Sequence, residues 1–172
     1  MLLLLPATGR VQKRGEEVVD NCSVLFVCSG NTCRSVMAEA FFPYYWELAG
    51  IPGKLYVCSA GLATVEGLAA SRETLLLLRS EGLAMEHHRS RPLDAAMVEK
   101  AAYIFTMTAA QKQYILERFP NGLNKVWTLG EYGADGIDIA DPYGGGLEDY
   151  KMAAIQIKQA LLGITARLKS ER

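Results

Sequence analysis

Residues 23–35 read SVLFVCSGNTCRS, and this stretch decides the fold. Its first part, Val24 to Val27, is a short and wholly apolar run that contains β-branched residues. Such a run is typical of a strand that is buried on both faces of a parallel sheet. Helix formers with an apolar stripe follow over residues 35–50. The intervening loop therefore joins a strand to a helix, which is where open α/β sheets bind their ligands.

The rest of the chain alternates in the same way, with four predicted strands in all. Further strands are predicted at 54–59, 103–106 and 125–128, and further helices at 69–82, 94–100, 108–119 and 147–169. Strands that alternate with helices imply right-handed crossovers, so we predict one α/β, doubly wound domain with a four-stranded parallel sheet flanked by helices. Pro43 should kink the first helix, because its ring removes a backbone donor. Six glycines mark residues 130–146 as a long loop of the kind that is often functional.

Length and charge restrict the kinds of ligand. A chain of 172 residues, half of them apolar, can build one core. Its 18 basic and 19 acidic residues nearly cancel, so we expect no nucleic-acid or membrane partner, and an anionic ligand must be bound locally. No stretch approaches the roughly 20 apolar residues of a membrane span, which predicts a cytoplasmic protein. Residues 1–21 lack a steady hydrophobic period and are predicted to be a disordered or loosely packed N-terminal extension before a domain at 22–172.

The chemistry is predicted to lie in the loop from Cys28 to Arg34, a cysteine and an arginine with five residues between them. The backbone N–H groups of such a loop can all point inward and bind an anion, and Gly30 permits backbone angles that a side chain would resist. Arg34 adds a planar charged fork for two phosphoryl oxygens. The same donors favour the thiolate form of Cys28, and Ser35 can donate its hydroxyl to that sulfur. A bare match of this spacing can also arise by chance around a small buried cysteine.

The loop and the Met-Ala-Glu-Ala that follows at 37–40 resemble the low-molecular-weight protein tyrosine phosphatase family. The resemblance covers nearly everything from Ser23 to the end of the chain, and it includes Ser-Ala-Gly at 59–61 and Asp-Pro-Tyr at 141–143. It implies a metal-free reaction without a cofactor on phosphorylated protein substrates, with phosphate or other oxyanions as inhibitors. The residues implied to bind phosphate are Ser29, Gly30, Asn31, Thr32, Cys33, Arg34 and Ser35.

The resemblance also implies how the reaction runs. Cys28 would displace the substrate while Asp141 protonates the leaving atom, and Asp141 would then deprotonate the water that hydrolyses the phosphocysteine. From the residues alone, Asp135 and Asp138 lie nearby in the same loop, and Asp141 could be a turn aspartate.

Three further residues resemble the structural network of the family. Asn31 is expected to support the loop and to contact His88 and Ser59. Taken alone, His88 would more readily be interpreted as a surface histidine, because it lies between His87 and Arg89.

The cysteines have different predicted roles. Cys33 can close a reversible disulfide with Cys28 under oxidation, which the resemblance supports, or it can be a packed thiol. Cys22 and Cys58 are predicted to be structural. A thiol-dependent arsenate reductase would need cysteines further along the chain, and none follows Cys58.

Thr32, Tyr143 and Gly144 bear on the substrate. Tyrosine-specific members usually carry a bulkier apolar residue at position 32 and a second aromatic at position 144. The combination of Thr32 with Tyr143 and Gly144 looks more like the bacterial protein-arginine phosphatases of the family. A hydroxyl at Thr32 can orient water or a guanidinium, and loss of an aromatic wall weakens stacking on a phenyl ring. We therefore expect phosphoarginine as the substrate, with phosphotyrosine as the alternative and a non-catalytic phosphate-binding or redox-sensing module as the rival of another class.

Overall fold

The computed structural model describes residues 22–122 and 124–172, so the predicted extension at 1–21 lies outside the described residues. The strands are β1 (Cys22–Cys28), β2 (Leu55–Gly61), β3 (Tyr103–Thr106) and β4 (Val126–Thr128). They form a parallel sheet in the order β2-β1-β3-β4. The predicted fold class and the four-stranded parallel sheet are confirmed.

The helices are α1 (Arg34–Ala49), α2 (Arg72–Ser80), α3 (Ala95–Lys100), α4 (Ala109–Arg118), α5 (Leu129–Gly133) and α6 (Leu147–Ser170), with a short 3-10 turn at Pro120–Gly122. Helix α1 runs through Pro43 without interruption. Helix α2 begins three residues later than predicted, because the Ser71 side chain accepts a hydrogen bond from the backbone N–H of Thr74 and caps the helix there.

Helix α5 corrects the prediction of an unbroken loop over 130–146. The hydroxyl of Thr128 accepts a hydrogen bond from the N–H of Glu131 at 2.9 Å, and the Glu131 carboxylate accepts one from the N–H of Thr128 at 3.2 Å. This reciprocal capping starts a helix directly after β4. The glycines of the stretch concealed the Thr-x-x-Glu signal, and the irregular part of the loop begins only at residue 134.

The core lies on both faces of β1, whose central residues Leu25, Phe26 and Val27 are fully buried. Val24 and Phe26 pack toward α1, α2, α5 and α6, and Leu25 and Val27 pack toward α3 and α4. Successive side chains of a strand point to opposite faces, so one apolar run serves both layers. None of the helices within the described ranges is long and apolar enough to cross a membrane.

Candidate active site

Cys28 is the last residue of β1, and its side chain is buried at the start of the loop that leads into α1. The backbone N–H of Asn31 donates to its Sγ at 3.3 Å, and the Ser35 hydroxyl lies 3.0 Å from the same sulfur. Ser35 is fully buried in the first turn of α1. The loop thus directs one backbone donor and one hydroxyl at the sulfur, an arrangement that stabilises negative charge there.

Asn31 has the special backbone conformation of the loop. Its φ is 53°, and it is the one non-glycine residue with a positive φ in the described ranges. We expected the unusual angle at Gly30, but the φ of Gly30 is not positive, and a Cβ added there would lie 3.4 Å from the Thr32 hydroxyl. Asparagine tolerates the left-handed region better than most residues, because its short polar side chain can bond to nearby groups. The left-handed turn is therefore stabilised by the side-chain contacts of Asn31.

Those contacts join the loop to the neighbouring strand and to the segment after α2. The Asn31 amide nitrogen donates to Ser35 at 3.0 Å and to Ser59 at 2.8 Å. Its side-chain oxygen accepts from the N–H of Arg91 at 3.0 Å, and its backbone carbonyl lies 2.8 Å from Nε2 of His88. Asn31 and Ser59 are fully buried, and His88 is nearly so. The predicted group of Asn31, Ser59 and His88 is brought together, and His88 is not the surface residue that its neighbours in the sequence indicated.

Arg34 links this loop to the loop before α6. Its side chain is buried, with one terminal nitrogen donating to the carbonyl of Ile139 at 3.0 Å and the other to Oδ2 of Asp141 at 2.7 Å. The other carboxylate oxygen of Asp141 accepts from the N–H of Tyr143 at 3.2 Å. Half of the Asp141 side chain is exposed, so the ion pair lies at the mouth of the site with one face open to solvent.

The two other aspartates of that loop have different contacts. Asp135 accepts a hydrogen bond from the N–H of Ile137, which stabilises a local turn. Asp138 accepts one from the N–H of Ala109 at the start of α4. Among the three candidate carboxylates, Asp141 is the one paired with Arg34.

Comparison with known proteins decides the family. The model of the low molecular weight phosphotyrosine protein phosphatase family matches residues 23–172. The chain belongs to this family. It is 38% identical over 151 residues to a protein-arginine-phosphatase of Geobacillus stearothermophilus, with 87% of this chain and 97% of that protein covered. It is 32% identical over 148 residues to a probable low molecular weight protein-tyrosine-phosphatase, EpsP, of Ralstonia nicotianae, with 86% of this chain and 97% of that protein covered.

A solved structure agrees with these relatives. The YwlE arginine phosphatase, in a cysteine-to-serine mutant with a phosphorylated active-site serine, is similar with a TM-score of 0.81. The identity is 34%, and the match covers 87% of this chain and 97% of that chain. The protein is therefore a cysteine-dependent protein phosphatase, and this activity removes the non-catalytic module from consideration.

Cys33 of the phosphatase is packed among polar groups. Its thiol donates toward the Ser71 hydroxyl at 3.5 Å, and its sulfur lies 3.4 Å from the hydroxyl of Tyr150. Burial, followed by the hydrogen bond with Cys33, raises the pKa of Tyr150 to about 12. Burial also raises the pKa of the Cys22 and Cys58 thiols, which lie on β1 and β2 away from the loop.

The rim of the phosphatase site carries the remaining predicted residues. Tyr143 has 80% of its surface exposed, next to Asp141. Ser29 is also exposed, and it follows Cys28 directly. Thr32 is partly exposed, and its backbone carbonyl accepts from the N–H of Ser71 at 2.9 Å.

Two contacts of the phosphatase site were missed at the sequence level. The carbonyl of Ile139 accepts from Arg34, and the side chain of Gln111 donates to Ser29 at 3.1 Å. The contact of a backbone carbonyl cannot be recognised from the residue type. Gln111 could be recognised as a helix-capping residue, because Thr108-x-x-Gln111 is a capping-box pattern at the start of a helix. That pattern does not indicate a contact with the loop after β1.

Proposed function

We propose that this phosphatase hydrolyses phosphoarginine on proteins through a phosphocysteine intermediate on Cys28. The observation that carries the proposal is the 2.7 Å pair between Arg34 and Asp141 beside the loop that begins at the buried Cys28. It joins a nucleophile, a phosphate-binding fork and a carboxylate in one site. The phosphorylated serine of the related arginine phosphatase mutant supports attack from the corresponding position.

In the first step, the Cys28 thiolate attacks phosphorus and forms an S–P bond as the bond to the leaving atom breaks. The backbone N–H groups of the loop and the guanidinium of Arg34 hold the equatorial oxygens. Because Arg34 is paired with Asp141, an incoming phosphoryl group competes for the guanidinium and releases the carboxyl. The released carboxylate takes up a proton from solvent on its exposed side and delivers that proton to the leaving nitrogen, and the arginine side chain departs.

In the second step, Asp141 accepts a proton from water as the water oxygen attacks the phosphocysteine. The new P–O bond forms and the S–P bond breaks, which gives inorganic phosphate and returns the thiolate. The Ser35 hydroxyl, 3.0 Å from the sulfur, donates to that thiolate as it leaves. One carboxyl therefore acts as the acid in the first step and as the base in the second.

Two features favour a guanidinium leaving group over a phenol. Thr32 is partly exposed, and its hydroxyl can orient the guanidinium or the attacking water. Gly144 follows Tyr143, so the rim has no second aromatic residue at that position to stack on a phenyl ring. The similarity to protein-arginine-phosphatases of Geobacillus stearothermophilus and Bacillus subtilis supports the same choice.

A phosphotyrosine substrate is the second candidate. The exposed ring of Tyr143 stands beside Asp141 and can pack against a phenyl leaving group. The relatives named as tyrosine phosphatases, with EpsP among them, support this alternative.

The substrate test compares kcat/KM on a phosphoarginine protein and on a phosphotyrosine protein. The wild type should prefer phosphoarginine, and Thr32→Ile should shift the preference toward phosphotyrosine because it removes the hydroxyl and adds apolar surface. Thr32→Ser keeps the hydroxyl and serves as the control that retains the wild-type preference. A wild type that prefers phosphotyrosine, together with a Thr32→Ile variant that has the same preference, would contradict the proposal.

The mechanism is tested with Cys28→Ser and Asp141→Asn. Cys28→Ser should abolish turnover, because the hydroxyl is a far weaker nucleophile and leaving group. Asp141→Asn should retain phosphate binding and lower kcat by about 10²–10⁴-fold, the usual contribution of a general acid and base. Wild-type turnover by Cys28→Ser would refute the phosphocysteine.

A further inference from the structure

Gln111 occupies the first turn of α4 and is only 7% exposed. Its side-chain oxygen accepts two backbone hydrogen bonds, from the N–H of Met107 at 3.0 Å and from that of Thr108 at 3.2 Å. Because both donors require an oxygen, the orientation of the amide is fixed. Its nitrogen must then face the loop after β1, where it donates to the hydroxyl oxygen of Ser29 at 3.1 Å.

This bond determines what the hydroxyl of Ser29 can do. A hydroxyl has one hydrogen, and an oxygen that accepts from an amide keeps that hydrogen for another acceptor. The backbone of Ser29 is also held, since its carbonyl accepts from the N–H of Ala63 at 2.9 Å. Ser29 is exposed and follows Cys28 directly, and Gln111 is the hydrogen-bond partner of its hydroxyl among the described residues, so the hydroxyl hydrogen is not committed to another protein group there.

We propose that Gln111 is a positioning residue, which orients the Ser29 hydroxyl so that it donates to the phosphorylated substrate. The inference rests on the proposed function, because it assigns the loop after Cys28 to the phosphoryl group. A helix cap needs only the side-chain oxygen of Gln111, and a glutamate would supply that oxygen equally well. The nitrogen contributes nothing to the cap, and within the described ranges its hydrogen-bond partner is Ser29. The donor in the transition state would be Ser29, and Gln111 would act through it.

Two substitutions at the same position separate orientation of Ser29 from helix capping. Gln111→Met removes the cap and the contact with Ser29. Gln111→Glu keeps an oxygen for the two backbone N–H groups but draws the Ser29 hydrogen to its own carboxylate. If Gln111 only caps the helix, Gln111→Glu resembles the wild type and Gln111→Met is worse. If Gln111 orients Ser29, Gln111→Met should lower kcat/KM about tenfold, which corresponds to the loss of one hydrogen bond. Gln111→Glu should then lower kcat/KM by more than Gln111→Met does.

A double-mutant cycle with Ser29→Ala isolates the coupling and is independent of the charge that Gln111→Glu adds. Ser29→Ala should lower kcat/KM about tenfold, and adding Gln111→Met should lower it little further, because the partner is already absent. Gln113→Met is the matched control, since Gln113 is an exposed glutamine of the same helix that pairs with Glu117. It should leave kcat/KM unchanged. Thermal midpoints of all variants report any loss of folding.

Two results would overturn the inference: wild-type kcat/KM in Ser29→Ala, or losses that simply add in the double variant. Should Gln111→Met fail to fold, Ser29→Ala and Gln111→Glu decide the matter, since neither removes the cap. All of these variants keep Cys28 and Asp141, so a failure here differs from a failure of the proposed function, which would appear as turnover in Cys28→Ser.

Discussion

Asn31 makes several of the contacts that hold the loop after β1 in place. It combines a left-handed backbone with hydrogen bonds to Ser35, Ser59 and the N–H of Arg91. Ser35 in turn lies against the Cys28 sulfur. Asn31 therefore reaches the sulfur in two ways, directly through its backbone N–H at 3.3 Å and indirectly through the Ser35 hydroxyl. The residue stabilises the loop and positions the predicted nucleophile by the same contacts.

Substitution of Asn31 should separate backbone strain from side-chain support. Asn31→Ala is expected to lower the free energy of unfolding by about 2–4 kcal/mol, because it leaves buried partners unsatisfied and retains an unfavourable φ. Asn31→Gly should recover about 1 kcal/mol of that loss, since glycine adopts the left-handed region freely. Both variants should lose kcat/KM to a similar extent. Urea unfolding and steady-state kinetics measure the two effects, and full activity in Asn31→Gly would contradict the role of the side chain.

The residues that could be identified from the sequence are those with a spacing rule. Cys28 and Arg34 follow from the loop motif, and Asp141 followed only when the Asp-Pro-Tyr match was added to it. The Arg34 contact with the Ile139 carbonyl and the Gln111 contact with Ser29 depend on where the loops meet after folding. Chain order does not give such distances, so these two contacts required the structure.

At the scale of elements, the sequence predicted strands and long helices well because their apolar periodicity is strong. It missed α5, whose five residues contain two glycines and are too few to show a helical period. One of these glycines, Gly133, is required by a tertiary contact. A Cβ on Gly133 would lie 2.1 Å from the carbonyl oxygen of Ala160 in α6, and a Cβ on Gly163 would lie 1.8 Å from the carbonyl oxygen of Gly133. Helices α5 and α6 thus meet at backbone contact.

Gly163→Ala should therefore destabilise the protein although alanine is the better helix former. The added methyl group must push α6 away from α5, and overpacking of this kind costs about 1–3 kcal/mol, which outweighs a gain of about 1 kcal/mol in helix propensity. Gln159→Ala, on the exposed side of the same helix, is the control and should change the free energy of unfolding by less than about 0.5 kcal/mol. Equal or greater stability of Gly163→Ala in urea titrations would contradict the close approach.

At the scale of the whole molecule, both ends of the described chain contact the segment before β2: the N–H of Cys22 donates to the carbonyl of Lys54 at 2.9 Å, and the Arg172 guanidinium donates to the carbonyl of Pro52 at 3.1 Å. We propose that residues 22–172 form the phosphatase domain and that 1–21 are an extension to it, since β1 begins at Cys22 and the family match begins at residue 23. Near this end, the Tyr132 hydroxyl donates to Glu171 at 2.7 Å, and the Arg167 guanidinium lies 3.8 Å from the centre of the Tyr132 ring. These two contacts hold the last turn of α6 against α5.

The contacts of the Tyr132 phenol predict how the free energy of unfolding depends on alkaline pH. Burial, then the hydrogen bond to Glu171, raises the pKa of Tyr132 far above its ordinary value of 10.0, and burial also raises the pKa of Tyr103. A raised pKa means that the fold favours the neutral phenol. The resulting stability is fully present below pH 10 and is lost as pH rises from there through the folded-state pKa, because the unfolded chain then gains by ionising. The free energy of unfolding in urea should therefore fall above about pH 10.

Substitution of Tyr132 tests this dependence. The free energy of unfolding of Tyr132→Phe should be lower than that of the wild type at pH 8 and should decline less steeply as pH rises. Tyr114→Phe, on the exposed side of α4, should keep the wild-type slope. Identical slopes in Tyr132→Phe and the wild type would show that this phenol does not couple folding to pH.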